Sequence, residues 1–153
     1  MKTSLPNKIE FVFHSVKTEE FATIPENFDL KSTVSVDTNI DIKVNESDKI
    51  IGVFLTFQYL QKKKVFLKIK VACNFSVVDT SWVKLTDTKD NQLKLPKGFI
   101  THLLMLSIGT VRGILVAKTE GTAYSKFVLP TMNISEKIKN DFVIEIDNKK
   151  EFA

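Results

Sequence analysis

The first half of this chain is written in the two-residue period of β-strands. From Thr33 to Asn45, Val34, Val36, Ile40, Ile42 and Val44 share one parity, while Ser35, Asp37, Asn39, Asp41 and Lys43 share the other. That alternation predicts a strand buried on one face. Val65 to Asp79 repeats the pattern, with Val65, Leu67, Ile69, Val71, Cys73, Phe75 and Val77 on one side and Lys68, Lys70, Asn74 and Ser76 on the other. Ile50 to Leu60 precedes it, and Gln61 to Lys64 is a link short enough for a hairpin. Lys8 to Thr18, rich in Phe, Val and Ile on both parities, supplies a first strand. Short links between consecutive strands predict an antiparallel sheet. The exception is the connection FATIPENFDLKS, Phe21 to Ser32, too long for a tight hairpin. Its Phe21, Ile24, Phe28 and Leu30 must dock on the sheet or stay available to a partner.

The period then changes. Thr80 to Lys94 is polar and reads as a loop with Trp82 near its start. Pro96 stands where a helix would begin and Gly121 where one would stop, which predicts a helix of about 25 residues, about 37 Å long. Leu104, Ile108, Val111 and Leu115 form an apolar stripe suited to covering a sheet. Gly109, Gly113 and Ala117 recur every four residues as a second stripe, of small residues. An interior glycine costs about 1 kcal/mol relative to alanine, so two in one stripe predict that another backbone comes close. An oligomer contact through Gly109, Gly113 and Ala117 is the first reading, and tight packing on the chain's own sheet is the alternative. Arg112, beside that stripe, is expected to be exposed or at an interface rim. Asn133 followed by Glu136 resembles a capping box and predicts a short second helix. The tail, residues 141–153, alternates only in part and is not placed; Phe142, Val143, Ile144 and Ile146 are candidates to fill the apolar crossover. The pattern as a whole predicts one α+β domain over residues 1–153: a four-stranded antiparallel sheet, a long helix packed on it and a short second helix.

Composition narrows the chemistry. With 153 residues, 43% hydrophobic and 26% charged, the chain suits a globular domain with a full core. Its net charge of +4 is scattered. Lys62, Lys63 and Lys64 make the one tight run, which a solvated hairpin turn explains better than a nucleic-acid patch. Lys68 and Lys70 extend that basic face, but Phe66 alone stands among the lysines as a base-stacking aromatic. Cys73 is the single cysteine, which excludes an intrachain disulfide and a cysteine-based metal site. The start shows no apolar signal region, and the apolar run Leu103 to Val116 is short for a bilayer and holds Arg112, so a cytoplasmic protein without membrane insertion is expected. AKTEGT lacks the glycine spacing of a phosphate loop and sits at a helix end. His14 and His102 have no carboxylate or cysteine at ligand spacing, and Ser107, five residues from His102 on a helix, points away from it. No catalytic residues, metal or cofactor are expected.

The order of these segments, and several stretches within them, resemble the SecB family of export chaperones. EEFATIPENF resembles the end of that family's first strand and its crossover, STVSVDTNIDIKVN its second strand, and IIGVFLTFQYL with VFLKIKVACNFSVVD its hairpin pair. The helix from Pro96, then EGT, an extended segment and LPTMNI, resemble its closing part. The likeness covers about residues 8–140. It implies an ATP-independent holdase that forms dimers or tetramers and binds unfolded or preprotein clients in an apolar groove. Carried over by position, the client-binding residues are Phe28, Leu30, Val34, Val36, Phe66 and Ile134. Two features depart from the family. Members that deliver clients to the SecA motor are acidic, and many carry a zinc-binding tail, whereas this chain is basic and ends NKKEFA. Those departures argue against a SecA link and leave open a role with an antitoxin, as in some SecB-like proteins. An oligomeric adaptor without holdase activity is a further alternative, and nucleic-acid binding a more distant one.

Overall fold

The computed structural model describes residues 8–146. Its main sheet has four antiparallel strands: β1 (Phe11–Thr23), β2 (Ser35–Asn45), β3 (Ile50–Gln61) and β4 (Lys64–Val77), in the order β1-β4-β3-β2. β2 and β3 pair without a break from Ser35↔Leu60 to Asn45↔Ile50. β1 is irregular on β4 between Phe13 and Ser15 and between Thr18 and Glu20. The first strand runs further than its pattern predicted, to Thr23. It takes Phe21 out of the crossover, which begins at Ile24 and opens with a 3-10 turn at Pro25–Asn27.

One face of the sheet carries the core. Ile51, Val53, Leu55, Phe57 and Tyr59 of β3 lie beside Leu67, Ile69, Val71, Cys73 and Phe75 of β4, all buried. Helix α2 (Lys97–Thr119) lies across them and buries Leu103, Leu104, Ile108, Val111 and Leu115. The expected apolar stripe is therefore the sheet-facing one. Cys73 faces Ser107 of the helix, and burial pushes its thiol pKa up, as befits a small core residue. Beyond α2, Gly121 has φ +77°, the left-handed conformation that ends helices. At 23 residues α2 is long and apolar enough to cross a membrane by length and composition alone; here, as expected of a buried helix, one of its faces is packed on the sheet.

Three expectations change. The polar stretch after β4 is not a simple loop: Asp79–Leu85 forms helix α1, which buries Ser81, Trp82 and Leu85. Short strands β5 (Thr86–Asp87) and β6 (Gln92–Leu95) follow, and the tail adds β7 (Phe142–Glu145), giving a second sheet in the order β5-β6-β7. Leu93 and Leu95, hidden among polar neighbours, are the buried pair that makes β6 worth covering. Because Leu95 pairs with Phe142 and Leu93 with Ile144, the tail residues 142–146 do not fill the crossover. The short second helix is present as α3 (Ile134–Lys137), with Asn133 at its N-cap but no side-chain cap hydrogen bond, so the expected capping box does not form.

The small stripe faces away from the sheet. Gly109, Gly113 and Ala117 are exposed, and a Cβ added at either glycine meets no heavy atom within 4 Å. Tight packing of these residues on the chain's own sheet is ruled out. Met105, 63% exposed, and the exposed Leu106 and Val116 surround them, so the outer face of α2 is apolar as well.

Candidate functional site

Helix α2 is narrower than the apolar face beneath it. Its buried residues sit over β3 and β4, whereas the core-face residues of the edge strand β2 (Val36, Ile40, Ile42 and Val44), and Val34 just before it, are only half-buried. What comes over β2 is the irregular chain after α2. Leu129 and Ile134 are buried there, and Met132 and Ile138 partly so. A chain without regular structure covers a strand imperfectly, and cavities remain along the seam. One of about 570 Å³ lies among Ile40, Ile42, Ile100, Ile138 and Phe142, rimmed by Asp41, Lys137 and Asp141. A second, of about 380 Å³, lies between Val36 and Thr38 on one side and Pro130, Met132 and Glu136 on the other. A third, of about 160 Å³, lies on the helix side of the same segment, among Met105, Ile108, Arg112, Met132 and Ile134.

Arg112 holds that segment in place. Its Nε donates to the Leu129 carbonyl at 3.3 Å and its Nη2 to the Pro130 carbonyl at 3.2 Å. Expected at an exposed or rim position, Arg112 is half-buried and hydrogen-bonded. Its charge also reaches Tyr59, whose hydroxyl is buried without a hydrogen-bond partner. Burial pushes the Tyr59 pKa up to about 12, against the pull of Arg112 in the opposite direction.

At the β3–β4 hairpin end the crossover meets an aromatic cluster. Phe28 lies 5.0 Å from Phe66 and 5.1 Å from Tyr124, ring to ring, and Phe127 lies 5.1 Å from Phe66 and 5.6 Å from Tyr59. The Lys126 ammonium lies 5.3 Å from the centre of the Phe127 ring and 5.7 Å from that of Phe28, within cation–π range. The chain's own Tyr124 and Phe127 thus cover the crossover aromatic. The crossover backbone is pinned in turn: the Ile24 N–H donates to the Phe66 carbonyl, and Asn27 Nδ2 to the Val65 carbonyl, both at 2.8 Å.

The six residues carried over from the resemblance fall into three settings. Phe28 and Phe66 meet in the aromatic cluster, Phe66 fully buried. Val34 immediately precedes β2 and Val36 lies on it, opposite Tyr59 in register and facing the second cavity, while Ile134 is buried beside the third. Leu30 stands apart, 78% exposed. Sequence reasoning missed Tyr124, Phe127 and Met132. The spacing of apolar residues in AYSKFVLPTMNI was the available signal, but an extended segment has no fixed period to read.

His14 sits at the first β1 irregularity and is exposed, His102 rests its ring 5.6 Å from Phe11, and the Ser107 hydroxyl donates to the Leu103 carbonyl. Lys68 pairs with Glu20 at 2.7 Å, and Phe66, the stacking residue a nucleic-acid surface needs, points into the core. Among the described residues no group of three or more His, Cys, Asp or Glu is placed to hold a metal ion.

No family model matches the chain, and no curated protein matches it. Among solved structures it is similar to the Mycobacterium tuberculosis SecB-like chaperone Rv1957, in complex with a ChAD peptide from the HigA1 antitoxin, with a TM-score of 0.46 and 7% identity over 80% of this chain and 91% of that one. It is also similar to a protein of unknown function from Streptococcus agalactiae, with a TM-score of 0.39 and 10% identity over 82% of this chain and 99% of that one. Both likenesses are loose.

Proposed function

We propose that this protein is a cytoplasmic, ATP-independent holdase of the SecB-like kind, which keeps unfolded or apolar client segments against the β2 half of its sheet. The observation that carries the reading is the mismatch between a wide apolar sheet and a narrow helix. Val36, Ile40 and Ile42 pack only partly against the core and also line cavities of about 380 and 570 Å³. Apolar contact is nondirectional, so such a trough accepts many sequences. Leu30 and the partly covered Phe28 extend its apolar rim. The sequence resemblance supports the same reading, since the long crossover, hairpin pair, long helix, extended segment and short helix occur in the expected order. No chemical step and no cofactor belong to it. The basic charge favours a dedicated client, such as an antitoxin segment, over handover to SecA.

The test is aggregation suppression. A denatured model protein is diluted into buffer with and without this protein, with no nucleotide present. Suppression is expected at near-stoichiometric amounts, and a Val36→Ser/Met132→Ser variant with an unchanged circular dichroism spectrum is expected to lose most of it. A folded wild-type sample that suppresses nothing ends the holdase reading.

The outer face of α2 is the proposed contact between copies, with Gly109, Gly113 and Ala117 at the crossing. Gly109→Ala/Gly113→Ala adds two methyl groups to open space, which in an isolated chain stabilises the helix by up to about 2 kcal/mol. Where two helices cross at the stripe, the same methyls hold the backbones apart. The expected result is a higher thermal midpoint with association weakened about tenfold or more in sedimentation. A wild-type chain that sediments as a monomer at every concentration refutes the contact.

A further inference from the structure

We propose that Arg112 and the cup around it take a carboxylate: an acidic side chain carried by an otherwise apolar client segment. This specificity rests on the client-binding reading above. It begins from the sequence of α2, which contains no acidic residue from Lys97 to Thr119 and no charge but Arg112 between Lys97 and Lys118. An arginine in so apolar a helix, and half-buried, would ordinarily have a carboxylate partner. Arg112 has no ion pair among the described residues. Its two hydrogen bonds go to neutral backbone carbonyls and use two of the five guanidinium N–H groups.

The surroundings suit a charged visitor on an apolar chain. Met105, Ile108, Met132 and Ile134, with Thr131 as a polar member, wall a cavity of about 160 Å³ with Arg112 as its one charged group. Apolar walls lower the local dielectric and strengthen an ion pair formed inside them. The guanidinium has already lost part of its hydration through burial in the free protein, so less remains to be lost on binding. Behind it the sheet offers no competing anion: the Tyr59 hydroxyl is buried, neutral and without a partner. Glu136 and Lys137 line the neighbouring cavity over β2, and Glu136 does not pair with Arg112. Client side chains filling the seam would bring a carboxylate to the remaining N–H groups, and the forked geometry favours a carboxylate over a neutral amide.

The experiment compares two fluorescein-labelled peptides with the same apolar sequence, one carrying glutamate and the other glutamine at its centre, by fluorescence anisotropy. The glutamate peptide is expected to bind the wild-type protein about tenfold more tightly, the scale of one charge-assisted hydrogen bond, and to lose much of that advantage in high salt. In Arg112→Gln the two peptides are expected to bind equally, whereas Arg112→Lys keeps part of the preference. Equal binding of both peptides to the wild type overturns the proposal and leaves the holdase reading intact. A preference that persists in Arg112→Gln also overturns it. Binding of neither peptide ends the client-binding reading itself, and this proposal with it.

Discussion

Replacing Phe66 by alanine lowers stability by about 3–5 kcal/mol, the range for emptying a fully buried aromatic site. Phe66 is completely buried on the core face of β4, with the rings of Phe28, Phe127, Tyr59 and Tyr124 5.0, 5.1, 6.3 and 6.3 Å away. Those neighbours cannot easily close over the gap. Tyr59 is fixed on the adjoining strand, opposite Leu67, and the Phe66 carbonyl is tied to the Ile24 N–H at the start of the crossover. Part of the loss is also that of edge-to-face and tilted ring contacts, about 0.5–1.5 kcal/mol per pair beyond area burial. Leu30→Ser, at the far end of the same crossover, is expected to change stability by less than about 0.5 kcal/mol, since that side chain is 78% exposed. Urea unfolding of the two variants checks both values. The contrast separates two residues of the proposed groove: Phe66 is fully buried within the fold, and Leu30 is exposed. An alanine variant as stable as the parent would mean that the aromatic cluster is not packed as described.

That division could not be read from the sequence, and the reason is physical. Alternation says which residues share a face, so the sheet was legible: Val34, Val36, Ile40 and Ile42 do lie together, as do Leu67, Ile69, Val71 and Cys73. Alternation does not say how far a helix reaches across that face. Leu67 and Val36 carry the same kind of signal, yet one is fully buried and the other faces a cavity, because α2 lies over β3 and β4 and stops short of β2. Phe66 has the parity of Lys68 and Lys70, and the register shift beside it, together with the rings of Phe28, Tyr124 and Phe127, buries it. The small stripe on α2 was legible as a stripe, but not in direction: its glycines could have met the sheet and instead face outward. Segments without a period were legible least. Leu93 and Leu95 were lost in a polar run, β7 in a tail that alternates only partly, and Tyr124 and Phe127 in an extended stretch where contact depends on tertiary closure. Arg112 was read as a rim residue because sequence shows its charge and not the carbonyls of Leu129 and Pro130 that hold it.

Gln61→Leu removes the staple of the crossover and is expected to cost about 2–3 kcal/mol. Gln61 closes β3 with 3% of its surface exposed, and its amide serves three crossover groups. Its Oε1 accepts the Asp29 N–H at 2.9 Å, while Nε2 donates to the Asp29 carbonyl at 2.8 Å and the Ser32 carbonyl at 3.1 Å. Leucine nearly matches the volume but leaves one N–H and two carbonyls unpaired, at about 1–3 kcal/mol for each group water cannot reach. These groups are only partly buried, which sets the estimate at the lower end. The Asp29 carboxylate makes the rest of the turn: it accepts the Ser32 hydroxyl and the Ser32 and Lys31 N–H groups, and these bonds hold its pKa at about 2 instead of 3.8. A lowered carboxylate pKa contributes stability that is full above about 3.8 and is lost as pH falls toward 2. The turn should therefore survive mild acid in the wild-type protein and come apart only near pH 2. Native-state hydrogen exchange separates the two contributions. In Gln61→Leu the Asp29 amide is expected to exchange much faster at neutral pH, while amides in the middle of β3 and β4 change only by the global loss of stability. Unchanged exchange at Asp29 would show that the crossover stays docked through its aromatic contacts alone, and that Phe28, not Gln61, fixes the rim on which Leu30 is displayed.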